Sequence, residues 1–347
     1  MRIATAKETY AADEALFTTP TQRVWLGILL VALVAFPFLA GDYWRFLACL
    51  VAINLISATG LMILTGFTGL VSLGHAAFMG VGAYTAGWAT GTLGLPFWLA
   101  VPLGGLGAAA AGVLFGTPSL RVKGLYLALA TIAAAFILQF VFFNWTSVTG
   151  GARGLVVPPA RVFGFELATN FAFYWVAMPL AALGVLGASN LFRTRIGRAF
   201  VAIRDRDISA EVIGIPLFKY KLMSFALASF YAGIAGALWV YFFRVVTPES
   251  FRLAESIFYV AAIIVGGLGS VLGAVLGAAF MTLVPEVLKL VVSALDPYWP
   301  GLIQQMSPVR TIVFGSLIVG FLMFEPYGLA EIWRRIRRFF HLWPFRT

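Results

Sequence analysis

Charge is scarce in this chain. Asp, Glu, Lys and Arg supply 11% of its 347 residues and hydrophobic residues 61%, whereas a water-soluble domain carries about 25% charge. An ordinary soluble fold is therefore excluded. Cysteine is nearly absent too. Cys49 stands alone inside an apolar run, so there is no disulfide framework and no thiolate metal site, and it reads as a small core residue. Histidine is confined to His75 and His341, and neither G-x-x-x-x-G-K-[ST] nor H-E-x-x-H occurs. The chain is expected to hold no nucleotide in a P-loop, no metal, no cofactor and no catalytic residue of its own.

Apolar runs are what it has instead, each long enough, at about 20 residues, to cross a hydrocarbon core. They predict an all-α polytopic integral membrane protein with about ten transmembrane helices, some short or broken. The spans are Val24–Ala40, Phe46–Thr65, Leu70–Thr90, Phe97–Gly116, Gly124–Phe143, Phe171–Phe192, Leu222–Phe243, Ser256–Ser270, Val271–Val292 and Val309–Glu325. The runs are continuous rather than two-periodic, which excludes a β-barrel.

Basic residues gather at 193–221 and after Pro326. The positive-inside bias then places both termini in the cytoplasm. On that orientation residues 1–23 are a cytoplasmic N-terminal segment, 24–325 the membrane domain, 144–170 an outer loop and 193–221 an inner loop. Residues 1–23 mix both charge signs and lack the basic start of a cleaved signal peptide. The net charge of +10 reads as orientation and anionic lipid, not as nucleic-acid binding. The tail 326–347 alternates basic clusters with Trp333, Phe339, Phe340 and Trp343, the pattern of an interfacial lipid anchor.

The inner loop "RTRIGRAFVAIRDRDISAEVIGIPLFKYKL" has no Gly or Pro between Arg198 and Ile213. Ala199, Ile203, Ala210 and Ile213 recur at helical spacing, with charges around them. This predicts one or two short amphipathic helices ended by Gly214 and Pro216. Such a helix is either a solvated connector or a docking element for a cytoplasmic partner.

Within the spans, small residues recur every fourth position: Ala228, Ala232 and Gly236, then Gly269, Gly273 and Gly277, and Ala76 with Gly80. They let helix backbones approach closely. Packing does not account for the stretch "GFTGLVSLGHAAFMGVGAY". Thr68, Ser72, His75 and Met79 fall on one line if the stretch is helical, and Asn54 and Ser57 give the preceding span a second polar face. A histidine so placed is either an interhelical hydrogen-bonder or part of a polar wall beside a pathway or subunit seam. Gly66, Gly69, Gly74 and Gly80 supply a break or bend beside it, as do Gly266, Gly267, Gly269 and Gly273 later. Intramembrane ionisable residues are sparse (Glu286 and Lys289 near a span end), which disfavours a stand-alone proton- or sodium-driven carrier.

These residues carry a family resemblance. "TGFTGLVSLGHAAFMGVGAYTAG" (Thr65–Gly87) resembles the signature of LivM-type permease subunits of branched-chain amino-acid ABC importers, which read TGY-x-G-Q-x-SLGHAAF-x-G-x-GAYTA. "LRVKGLYLALAT", "NWTSVTGGARGL", "TPESF" and "VGGLGSVLGAVLGA" match further blocks in order, over roughly residues 45–330. The resemblance implies a permease in a bacterial inner membrane, with a second LivH-like permease and a periplasmic solute-binding protein. It also implies two cytoplasmic ATPases that use ATP and Mg. It assigns the loop 193–221 to docking on the ATPase, with Arg204, Asp205, Asp207, Glu211 and Gly214 at its core. Asn54, Ser57, Thr68, Ser72, His75 and Met79 become the translocation pathway. Leu70 and Phe67 stand where the family usually has glutamine and tyrosine, which makes this wall more apolar. A hydrophobic amino acid is the expected solute; urea, an amide, or an aromatic or other carboxylate is the alternative.

Overall fold

The computed structural model describes residues 20–121, 124–162, 165–295, 306–325 and 327–342. The N-terminal segment expected at 1–23 lies outside the described residues up to position 19, as does Trp343 of the tail. Two compact units divide the chain, Met1–Phe46 and Leu47–Thr347. In the first, helix α1 (Pro20–Leu39) leads by a short bend into the opening residues of α2 (Asp42–Leu61), most of which belongs to the second. The Arg45 guanidinium donates to the Pro37 carbonyl at 2.8 Å, where that bend begins.

Among the described residues, six helices are long and apolar enough to cross a membrane: Asp42–Phe67, Phe97–Ser119, Tyr126–Asn144, Asn170–Arg193, Leu217–Phe243 and Val271–Leu295. A pair bent by 49°, Ile312–Phe324 with Gly328–Phe339, makes a seventh if counted as one span. In chain order after α2 come α3 (His75–Leu93), α4 (Phe97–Ser119), α5 (Leu125–Asn144) and the turn α6 (Thr146–Thr149). Then follow α7 (Asn170–Arg193), α8 (Arg195–Asp205), α9 (Asp207–Val212) and α10 (Leu217–Phe243). The last are α11 (Leu253–Gly266), α12 (Val271–Leu295), α13 (Met306–Phe324) and α14 (Gly328–Leu342). The expected span Leu70–Thr90 is corrected: its helix begins only at His75. The expected Ser256–Ser270 is the 14-residue α11.

Helix α3 is too polar for a lipid-facing span, and it does not need to be one. It sits between α4 and α10 with most of its length buried. Backbone replaces side chain at the crossing. A methyl on Gly104 would lie 2.7 Å from the Gly82 carbonyl oxygen, and one on Gly233 2.6 Å from that of Gly104. Gly82 rests on the Gly233 backbone, and Gly236 on the Met79 carbonyl. Close backbone approach multiplies weak contacts where lipid offers no hydrophobic drive between helices. Helices α11 and α12 cross in the same way through Gly266, Gly273 and Gly277. The outer faces of α4 and α5 stay apolar and open, as at Leu114 and Phe140.

At the end of α10 away from α9, the described residues of the loop 144–170 form short strands. Strand β1 (Leu155–Val156) pairs antiparallel with β4 (Val245–Val246), and β2 (Arg161–Val162) with β3 (Phe165–Glu166). The Val157 amide donates to the Arg244 carbonyl at 2.9 Å, and the Arg244 guanidinium to the Ala168 carbonyl at 3.0 Å.

Candidate functional site

Helix α2 loses its regular winding at its lower end. Met62–Phe67 form a π-helical turn, and residues 69–74 are non-helical. A π turn widens the coil and weakens its carbonyl pairing, and such turns concentrate where a helix must give. Gly69 takes a left-handed backbone (φ 74°), which a β-carbon would strain. The non-helical stretch is nonetheless satisfied inside protein. The Leu73 amide donates to Thr131 Oγ1 at 3.0 Å, and the Ala76 amide, in the first turn of α3, to Ser256 Oγ at 3.0 Å. That replaces the missing helical bonds, as a buried irregular segment requires.

The break overturns the reading of Thr68, Ser72, His75 and Met79 as one continuous helix line, because the first two precede the helix. Thr68 turns back to the Ile63 carbonyl at 3.1 Å. Ser72 Oγ accepts from the Gly74 amide at 3.4 Å. Both are buried. His75 is 2% exposed, with Nε2 at 3.0 Å from the Ser57 carbonyl and 3.1 Å from its hydroxyl. Its ring meets Tyr259 edge to face at 5.7 Å. Asn54 donates to Thr282 Oγ1 at 2.9 Å and accepts from the Tyr259 hydroxyl at 2.9 Å, while that hydroxyl also lies 3.4 Å from Met79 Sδ. The structure thus brings Asn54, Ser57, His75 and Met79 together around Tyr259, tying α2, α3, α11 and α12. It leaves Thr68 and Ser72 to serve the break. Rather than an open wall, the set is a closed network within the chain, covered where α11 packs over it.

Tyr259, Thr282, Thr131 and Ser256 were not singled out from the sequence. A polar residue in an apolar run was the available signal, but nothing local says which runs meet.

Above this network lies a cavity of about 700 Å³ between α2, α10, α11, α12 and α13, with Asn54, Thr282, Glu255 and Glu286 on its walls. Asn54 alone of the six expected pathway residues lines it.

Below the break sit α8 and α9. Thr194 caps α8 by accepting from the Gly197 amide at 3.3 Å, the ordinary role of an N-cap hydroxyl. Ala199, Phe200, Ile203 and Ala210 face inward. Ile213 does not: it is 74% exposed, with Ile208 and Val212 beside it at 71% and 82%. The short helix α9 thus presents an apolar outer face that the expected stripe missed. Gly214, in a left-handed conformation (φ 89°), ends it, with the Ile215 amide reaching back to the Ala210 carbonyl at 3.0 Å.

The five residues expected to couple part company. Arg204 points into the chain, donating from Nη1 to the Gly66 carbonyl at 2.9 Å and from Nε to Asp205 at 3.0 Å. Its stem lies under Gly69, and its guanidinium 2.7 Å from where a Gly269 methyl would stand. Asp207 faces Lys221 at 3.7 Å, which holds α9 to α10. Glu211 and Gly214 are exposed beside the apolar tip.

Residues 44–324 match the model of the family described as branched-chain amino acid transport system / permease component. The chain is 32% identical to the high-affinity branched-chain amino acid transport system permease protein LivM of Escherichia coli, over 91% of this chain and 77% of that protein. It is 31% identical to LivM of Salmonella typhimurium over the same shares. LivH of Salmonella typhimurium is 25% identical over 65% of this chain and 78% of its own length. No solved structure matches.

Proposed function

The chain belongs to the family of branched-chain amino acid transport permease components, and we propose that it is the multi-pass permease subunit of an ATP-driven importer for apolar amino acids. It works in a bacterial inner membrane beside a second, LivH-like permease. A periplasmic binding protein delivers the solute, and two cytoplasmic ATPases, which bind ATP and Mg themselves, supply the work. The chain catalyses nothing.

One arrangement carries this reading. The exposed face of α9 (Ile208, Val212, Ile213) has no reason to be apolar in water, yet suits the groove of a partner. Glu211 at its edge fixes register. From the same α8–α9 unit, Arg204 reaches the Gly66 carbonyl in the π turn of α2. A partner that displaces α9 therefore pulls on the base of a helix that is already unwound there. Asn54 stands twelve residues further up α2, roughly 18 Å along the axis, and hands the movement to α11 and α12 through Tyr259 and Thr282. Arg204 is thus a transmitter rather than a docking contact, and α9 is the dock.

Reconstitution of the complete importer in proteoliposomes tests this. Leucine uptake from charged binding protein requires ATP on the ATPase side and stops with vanadate. Uptake that persists without ATP, driven by an ion gradient alone, overturns the proposal in favour of a stand-alone carrier.

A further inference from the structure

We propose that α14 is a binding site for anionic phospholipid of the cytoplasmic leaflet, with Arg337 and Arg338 as its headgroup contacts, and that lipid seated there steadies the glycine turn on which Arg204 bears. The site stands on the geometry of α14; its effect on uptake rests on the transport reading.

The helix has two faces. Leu329, Ile332, Trp333, Ile336 and Phe339 recur at three and four residues, while Arg334, Arg335, Arg337 and Arg338 take the other side. The apolar face begins on the chain, where Leu329 packs against the cluster of Ala261, Ala262, Val265 and Met281. It then runs on past it. Trp333, Ile336 and Phe339 are exposed, as are Met323 and Phe324 at the end of α13. A contiguous apolar surface of this kind calls for a cover. Helix α13 has 19 residues and rises about 28 Å, close to the hydrocarbon depth of about 30 Å. Its end at Phe324 therefore reaches the lipid interface, and α14, bent from it by 49°, starts at headgroup level. Hydrocarbon covers the apolar face there, and the basic side meets the headgroups.

The charges favour an anion. Glu331 is the only acidic residue in α14. It pairs with Arg334 at 2.9 Å, and Glu325 across the bend pairs with Arg335 at 2.9 Å. Arg337 and Arg338 are exposed and have no ion-pair or hydrogen-bond partner among the described residues. Two unneutralised guanidinium groups beside a lipid-facing stripe select an anionic headgroup over a zwitterionic one.

The base of α14 sits on the turn between α11 and α12. A methyl on Gly328 would lie 2.5 Å from the Gly267 amide nitrogen, and one on Gly267 2.5 Å from the Tyr327 carbonyl oxygen. Both glycines have positive φ, 69° and 113°, so neither position admits a side chain without strain. Two residues on, Gly269 lies against the Arg204 guanidinium. Helix α14 and Arg204 thus bear on one turn. Beside it, a crevice of about 310 Å³ lined by Phe67, Phe192, Ala330 and Arg334 leaves the body of α14 room to shift. Lipid that holds the outer part of the helix therefore steadies its base, and with it the seat of Arg204.

The complete importer, reconstituted with phosphatidylglycerol or phosphatidylcholine carrying a photoreactive acyl chain, gives the test. Crosslinked peptides of α14 are counted by mass spectrometry, and leucine uptake from charged binding protein is followed as the phosphatidylglycerol fraction rises. Arg337→Gln, Arg338→Gln removes the charges from two exposed positions; Arg337→Lys, Arg338→Lys keeps them. Co-purification of all subunits checks assembly. In the parent, phosphatidylglycerol should label α14 well above phosphatidylcholine. That preference should fall at least about tenfold in the glutamine variant, the scale of two basic residues near an anionic surface, and return in the lysine variant. Uptake should rise with phosphatidylglycerol in the parent and stay flat in the glutamine variant. Equal labelling by both lipids, or an unchanged preference in the glutamine variant, overturns the site. An unchanged preference with the ATPases lost from that variant overturns it too, and assigns the two arginines to the ATPase. Labelling as expected with uptake indifferent to phosphatidylglycerol overturns the link to the turn. A parent complex that takes up no leucine overturns the transport reading, and the crosslinks then decide the lipid site by themselves.

Discussion

Replacing Arg204 by alanine should uncouple the importer without dismantling it. Its bond to the Gly66 carbonyl is charge-assisted at 2.9 Å, a class worth about 1.5–3 kcal/mol. The Arg204 side chain is 35% exposed, and water screens what it touches, which brings the value to about 1–2 kcal/mol. That corresponds to a factor of roughly 5–30 in the equilibrium between linked and unlinked states. Leucine taken up per ATP hydrolysed should fall by that factor in Arg204→Ala. Arg204→Lys should recover only part, since one ammonium cannot hold both Gly66 and Asp205. Asp205→Asn is the control: its carboxylate is 62% exposed, so uptake per ATP should stay within about twofold. Proteoliposomes with trapped ATP, assayed for leucine and phosphate together, measure the ratio. An Arg204→Ala importer that keeps the parent ratio refutes the transmission argument.

Three further outcomes follow from the packing. Asn54→Leu removes the acceptor of the Tyr259 hydroxyl and the donor to Thr282 Oγ1 and should cost about 1–3 kcal/mol; combined with Tyr259→Phe it should cost less than the sum, read as a double-mutant cycle on thermal stability in detergent. Tyr84 is buried with no hydrogen-bond partner for its hydroxyl among the described residues, so Tyr84→Phe should leave the melting temperature unchanged or raise it, worth up to about 1–3 kcal/mol. Gly236→Val drives a side chain into the Met79 carbonyl. It should cost at least about 1–3 kcal/mol and yield little monodisperse protein on size exclusion.

The class of the fold was legible because composition and run length are one-dimensional signals. The break before α3 was legible in part, since Gly66, Gly69 and Gly74 announced it. Its extent was not, and assuming helix through Leu70 put Thr68 and Ser72 on a face that does not exist. In the inner loop, Gly214 marked the stop correctly, and the two helices stand where the spacing placed them. Which stripe faces out was not legible. Ala199, Ile203 and Ala210 share the same period as Ile208 and Val212, and only packing on α2 and α10 tells inner from outer. The network around Tyr259 was beyond reach for a simpler reason: its bonds join residues 205 and 228 positions apart. Gly82 and Gly233 escaped likewise, because a glycine chosen for a neighbour's backbone carries no local mark.

The proposed docking of the ATPases on α9 is open to a direct test. The decisive measurement is co-purification of the ATPases with this chain from cells making all the importer's subunits, comparing the parent with an Ile208→Arg, Val212→Arg variant. Both positions are exposed, at 71% and 82%, so the substitutions disturb no core. The predicted result is ATPases bound to the parent and lost from the variant, with the second permease retained by both. ATPases absent from the parent, or held equally by the variant, would contradict it.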